Sequence, residues 1–177
     1  MSKLRKRPVT NVQLLEAQEE FQNESDRGCA LLGAAQVDYL LGKAIEMRLE
    51  RREETKQALL FDPMAPLSSF SARTLAAYAM RIIGPITRSD IDIIRDVRND
   101  FAHTVGSVDF GEPSIARRCM SLQHPRLFAS AHGHEVESII FNPRMMYVTA
   151  VVFFAGDLKV FVGYRDRKDD KPLDIEK

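Results

Sequence analysis

The sequence predicts an all-α, single-domain bundle of five to six helices around a central apolar helix. Three observations carry this. The chain has 177 residues, the length of one domain, enough to bury a core without disulfides. Its apolar residues recur at helical spacing, with almost no strand-like alternation. The stretch GCALLGAAQVDYLLGKAI, residues 28–45, is apolar on nearly every side, and a helix of that kind belongs at the centre of a bundle.

The elements follow in chain order. Residues 1–9 form a basic arm, read as a solvated, disordered tail. A first helix covers about 10–22, TNVQLLEAQEEFQ. The central helix runs from about Glu24 to near Arg52 within the helical domain, 10–164. Asn23 is its expected cap, and Glu24 and Asp26 stand in its first turn, where the helix dipole favours acids. The glycines inside it each cost about 1 kcal/mol relative to alanine, a cost that close packing must offset. FDPMAPLSSFSAR, residues 61–73, holds two prolines and a serine cluster and reads as a connection. Ser69 or Ser71 caps a third helix over 70–83, which Gly84-Pro85 stops. A fourth, over 88–102, takes Ser89 or Thr87 as cap. A fifth starts at Glu112-Pro113 and reaches about Leu122. Residues 123–142 lack a clean period, and EVESIIF within them reads as a short strand or a packed loop. The last helix starts at Asn142-Pro143 and runs to about Tyr164. Its segment MMYVTAVVFFAGDLKVFV is too apolar to stand free. It is core or the seam of a homodimer, the commonest assembly. Residues 165–177 are a charged, frayed tail.

Composition narrows function. Lys+Arg and Asp+Glu both number 25, so the basic excess usual in a duplex-DNA reader is missing. The basic N-terminus is followed by no apolar stretch, so it does not read as a secretory signal. The most apolar run, Met145 to Gly156, is too short to span a bilayer. A cytoplasmic protein without membrane partners is the expectation. Cys29 and Cys119 sit in apolar helical contexts and read as core thiols. No glycine-rich phosphate loop, Gly-x-Ser-x-Gly elbow or His-Glu-x-x-His pattern is present, and no cofactor is expected. His124, His132 and His134 read as loop histidines, not as a metal site. Arg117 and Arg118, with Arg95, Arg98 and Arg126, read as a solvated face rather than a basic strip for RNA.

The segment that carries chemistry is RNDFAH, Arg98 to His103. On a helix, Ile91, Ile94, Val97 and Phe101 make the apolar stripe, and Arg98 lies at its edge. A strict helix puts His103 about 140° round from Arg98, so the two converge only if the helix frays or a second subunit supplies one of them. Two readings stand. In the structural one, Arg98 needs an acceptor, and Glu24 or Asp26 supplies it in a polar cluster with Arg27, Asn99 and Ser68 or Ser69. In the catalytic one, His103 takes a proton from a ribose hydroxyl and Arg98 stabilises charge on phosphate. A third, smaller idea is an anionic ligand held by Arg27 and Arg98.

Three blocks, NESDRGCALLGAAQVDYLL, PLSSFSARTLAAYAM and DIIRDVRNDFAH, together resemble the mannitol operon repressor (MtlR-like) superfamily, over about residues 15–122. The resemblance implies an all-helical fold and transcriptional repression without a recognisable DNA-binding motif. No helix-turn-helix with a basic recognition helix is visible here either. Regulation through a protein partner, rather than direct reading of DNA, is the function this implies. RNDFAH is also similar to the signature of HEPN domains, helical bundles whose active members are ribonucleases with a site that usually forms across a dimer. That likeness implies metal-independent RNA cleavage or RNA binding by Arg98, Asn99 and His103.

Overall fold

The computed structural model describes residue 21 and residues 23–49, 60–132 and 142–163. Most of the first expected helix, the arm 1–9, the segment EVESIIF and the tail 165–177 lie outside the described residues. Among those described are six helices and no strand: α1 (Asp26–Arg48), α2 (Phe70–Ala79), α3 (Pro85–His103), α4 (Pro113–Met120), α5 (His124–His132) and α6 (Pro143–Gly163). This is the predicted all-α bundle. None of these helices is long and apolar enough to cross a membrane.

The central position of α1 follows from its composition. Cys29, Ala30, Ala34, Val37, Leu41, Ala44 and Ile45 are all but fully buried. Small residues on one side let α6 come close, and α1–α6 is the most extensive helix pair. At Gly33 a Cβ would stand 3.1 Å from Val151 and 3.3 Å from Tyr147. Tyr147 is fully buried, and its hydroxyl donates to the Ala30 carbonyl at 2.7 Å, so its one polar atom is satisfied in the core. Met146, Ala150, Val151 and Phe154 of α6 are buried as well. Of the two readings of this helix, core holds.

The amphipathic α3 packs beneath α1 and α2. Ile91, Ile94, Val97 and Phe101 are fully buried, the stripe expected from spacing. Phe101, Phe110 and Tyr147 form a tilted aromatic ladder with centroids 4.9 and 5.3 Å apart, tying α3 to α6.

Several helix ends differ from expectation. The central helix starts at Asp26, not Glu24. Ser25 is its cap, accepting from Gly28 N at 3.0 Å, while Asn23 lies in a turn before it. The helix at 70 stops at Ala79, four residues early. Arg81 takes φ 56°, its N–H bonds Tyr78 O at 3.0 Å and Ile82 N–H bonds Ala77 O at 2.9 Å. That is the paired C-terminal motif usually built on glycine, with Ile82 and Ala77 both fully buried. Gly84-Pro85 therefore opens the next helix instead of closing this one. Gly84 is the cap of α3 and Pro85 its first residue, where the missing N–H costs nothing. Thr87 and Ser89 are inside α3. Residues 124–132, expected as irregular, form α5. At the start of α6 expectation and structure agree: Asn142 Oδ1 accepts from Met145 N at 3.2 Å.

Two measurements check this packing. Gly42 has ordinary room for a Cβ, 3.6 Å from Arg73. Gly42→Ala should raise stability by up to about 1 kcal/mol, whereas Gly33→Ala, pressed on Val151, should gain nothing or lose by about 1–3 kcal/mol. Urea unfolding of both variants separates the cases. Burial pushes the Cys29 thiol up to about 11 and the Cys119 thiol up to about 12. Both values are raised in the folded state, so stability is intact below the unfolded thiol value near 9. It falls as pH rises through that value, because only the unfolded chain ionises there. The loss should be about 1 kcal/mol per thiol between pH 9 and pH 10, and should be smaller in Cys29→Ala and Cys119→Ala proteins.

Candidate functional site

α3 remains helical through His103. Thr104 ends it, with its N–H at 3.1 Å and its hydroxyl at 2.7 Å from the Asp100 carbonyl. The register does not break, so Arg98 and His103 stay about 140° apart on one helix and do not converge within one chain. His103 is exposed; Arg98 and Asn99 are half-buried.

Arg98 faces the α1 side of the bundle, where its charge reaches Asp38 and Tyr147. It makes no hydrogen bond or ion pair with a described residue. Asp38 is held instead by Arg73, with Nη2 donating at 3.2 Å and Nε in ion-pair range at 2.9 Å but not aligned for a hydrogen bond. Burial pushes the Asp38 carboxyl above its ordinary value; Arg73 and, less, Arg98 pull it back down.

The single polar cluster expected around Arg98 is distributed over three junctions. Asp26 accepts from Arg144 of α6 and, at 2.9 Å, from Phe110 N. Arg144 also donates to the Phe21 carbonyl at 2.7 Å and the Glu24 carbonyl at 2.6 Å, so Glu24 takes part through its backbone. Arg27 donates to the carbonyls of Thr104 at 2.9 Å and Gly106 at 2.8 Å, which fixes the loop after α3 and engages the guanidinium that the anion reading required. Ser69 caps α2 by accepting from Ala72 N at 3.1 Å, and Ser68 gives its carbonyl to Arg73 at 3.0 Å. The acceptor that sequence assigns to Arg98 is occupied by Arg144, 118 residues from Asp26.

The most buried polar group is one that sequence does not single out. Asp90 of α3 is fully buried. Its carboxylate accepts from Gln123 N at 3.0 Å, His124 N at 2.9 Å and His124 Nδ1 at 2.9 Å. His124 Nε2 stands 3.3 Å from the Thr87 hydroxyl, and Phe154 packs edge-on at 4.7 Å. The carboxylate accepts from Nδ1–H, and Nε2 faces the Thr87 hydroxyl. Carboxylate, imidazole and hydroxyl in a row is the order of a hydrolase relay. Here Thr87 is 2% exposed and His124 3%, so no substrate reaches the hydroxyl. The group is a helix cap supplied from another helix: Asp90 satisfies the first N–H groups of α5. His124 is thus a core residue, not a loop histidine. A signal was present: Asp90 falls on the same stripe as Ile94, Val97 and Phe101.

The arginines on the outer face are compensated. Arg88 faces Asp92 at 3.8 Å, and Arg95 faces Asp92 at 2.7 Å and Asp96 at 3.1 Å. Arg118 pairs with Asp100. Arg117 and Arg126 donate to the carbonyls of Pro113 and Met120. In comparisons with protein-family models, curated proteins and solved structures, nothing matches this chain.

Removing the buried carboxylate leaves three donors unsatisfied. Asp90→Ala should cost about 3–5 kcal/mol, with loss of helical circular dichroism, and Asp90→Asn less, because one amide oxygen still accepts. Equal costs for the two in urea unfolding would remove the capping role.

Proposed function

We propose that the chain is a transcriptional regulator of the mannitol operon repressor type that acts by contacting another protein rather than by reading DNA. The observation that carries this is the distribution of surface character. Arg88 and Arg95 of α3 and Arg117 and Arg118 of α4 face acids or carbonyls, and among the described residues only Arg98 of these two helices does not. This leaves little free charge there for phosphate, and phosphate contacts dominate nucleic-acid affinity. The outward side of α1 instead presents Leu32 and Tyr39, 53% and 63% exposed, with Lys43 over the Tyr39 ring. Exposed aromatics of this kind anchor protein interfaces. The likeness of three sequence blocks to the repressor superfamily supplies the regulatory part. A homodimer belongs to this reading, and since α6 is consumed in the core, its seam lies elsewhere.

A second reading, a metal-independent ribonuclease, is favoured by one specific observation. Arg98 lies half-buried without an acceptor among the described residues, while His103 is exposed at the end of the same helix. Because one chain does not bring them together, this activity requires a second copy.

A reporter under mannitol-operon control tests the first reading. Repression should be lost in Leu32→Glu/Tyr39→Glu with helical circular dichroism unchanged; full repression by the variant, or specific operator binding by the wild type at physiological salt, would overturn it. Metal-free cleavage of labelled RNA tests the second. Cutting by the wild type and not by folded His103→Ala establishes it, and no cutting by the wild type removes it.

A further inference from the structure

The connection before α2 is a double turn. Ala65 N–H bonds the Asp62 carbonyl at 2.8 Å across Pro63 and Met64, and Ser68 N–H bonds the Ala65 carbonyl at 3.1 Å across Pro66. Leu67 N–H closes the loop on the Leu60 carbonyl at 2.8 Å, and the Phe61 and Leu67 side chains pack against the core. In the first turn Pro63 takes the position where proline is favoured. Met64 takes the next, with φ 76°, where glycine or asparagine is the rule. A side chain is kept at a backbone position that disfavours one, and it buries nothing: Met64 is 99% exposed.

We propose that Met64 is a site of reversible oxidation by peroxide, and that the folded chain directs the oxidant there ahead of its other described sulfurs. In the reaction the thioether lone pair attacks one peroxide oxygen. The O–O bond breaks, an S–O bond forms, and the second oxygen leaves as water with both protons. Sulfur loses the two electrons that the peroxide gains, and the product is the sulfoxide, which sulfoxide reductases return to the thioether.

Susceptibility follows exposure, and the other described sulfurs are at least half-buried. Met146 is fully buried, and Met47, Met80, Met120 and Met145 are half-buried. Cys29 and Cys119 are fully buried. Burial also keeps both thiols protonated near neutral pH, which removes the reactive thiolate. Because the Met64 sulfur has no packing partner, the polar sulfoxide costs the fold nothing. Oxidation changes the chemistry of an exposed tip and leaves the bundle as it was.

The test is millimolar hydrogen peroxide on the full-length chain at neutral pH, followed by proteolytic mass mapping over time. Met64 sulfoxide should form at least about tenfold faster than Met146 sulfoxide, and ahead of Met47, Met80, Met120 and Met145. The difference should vanish in urea, the thermal melt of the oxidised protein should match the untreated one, and a sulfoxide reductase should restore the starting mass. Met64→Leu should lose the fast phase. Equal rates at Met64 and any of those five methionines in the folded protein would overturn the proposal, as would the same ranking in urea or failure of the reductase.

Discussion

The close approach of α1 and α6 is the constraint on which the bundle depends. Two long helices, each apolar over most of its surface, can share a core only if their backbones come near enough to exclude voids. Gly33 permits this by having no Cβ against Val151 and Tyr147. Tyr147 then spans the gap and gives its hydroxyl to the Ala30 carbonyl. The arrangement offsets the helix-weakening glycine with packing. It also leaves the opposite side of α1 facing outward with Leu32 and Tyr39, the side on which the proposed partner contact rests.

Around this apolar centre, the helix ends are held by side chains from far along the chain. Arg144 draws together Asp26 and the carbonyls of Phe21 and Glu24. Arg27 holds the loop after α3, and Asp90 caps α5 from within α3. Each solves the same problem: the end of a helix exposes N–H or C=O groups without partners, and burial makes leaving them so expensive. Charged groups serve well because charge-assisted bonds are stronger and can be multiple. A histidine beside a carboxylate and a hydroxyl is accounted for in this way without any chemistry, because burial closes it to substrate.

The surface of α3 shows what remains available for function. Its inner stripe belongs to the core, its outer Arg88 and Arg95 are matched by Asp92 and Asp96, and its Asp100 takes Arg118 of α4. Arg98 is different, since its charge reaches Asp38 but Arg73 holds that carboxylate. With no acceptor among the described residues, the side chain offers its aliphatic stem to packing and its guanidinium to an anion. The two proposed readings divide at this residue, because a protein-contact regulator needs only the stem and a nuclease needs the guanidinium.

What the sequence determined by itself was everything that depends on period and on local chemistry. The central place of α1 follows from its all-round apolar composition. The buried stripe of α3 follows from Ile91, Ile94, Val97 and Phe101, and the start of α6 from Asn142-Pro143. The separation of Arg98 from His103 follows from helix geometry alone. What only the tertiary structure decided were pairings over long sequence distance. Nothing near residue 26 indicates that Arg144 would take its carboxylate, and nothing near residue 124 indicates a cap, because that cap is Asp90 in another helix. Helix α5 was therefore invisible to local reading, while Arg81 takes a left-handed backbone where two backbone hydrogen bonds close the helix end and the following Ile82 is fully buried. Periodicity reports which face of a helix is buried; it carries no information on which distant polar group will meet the end of that helix.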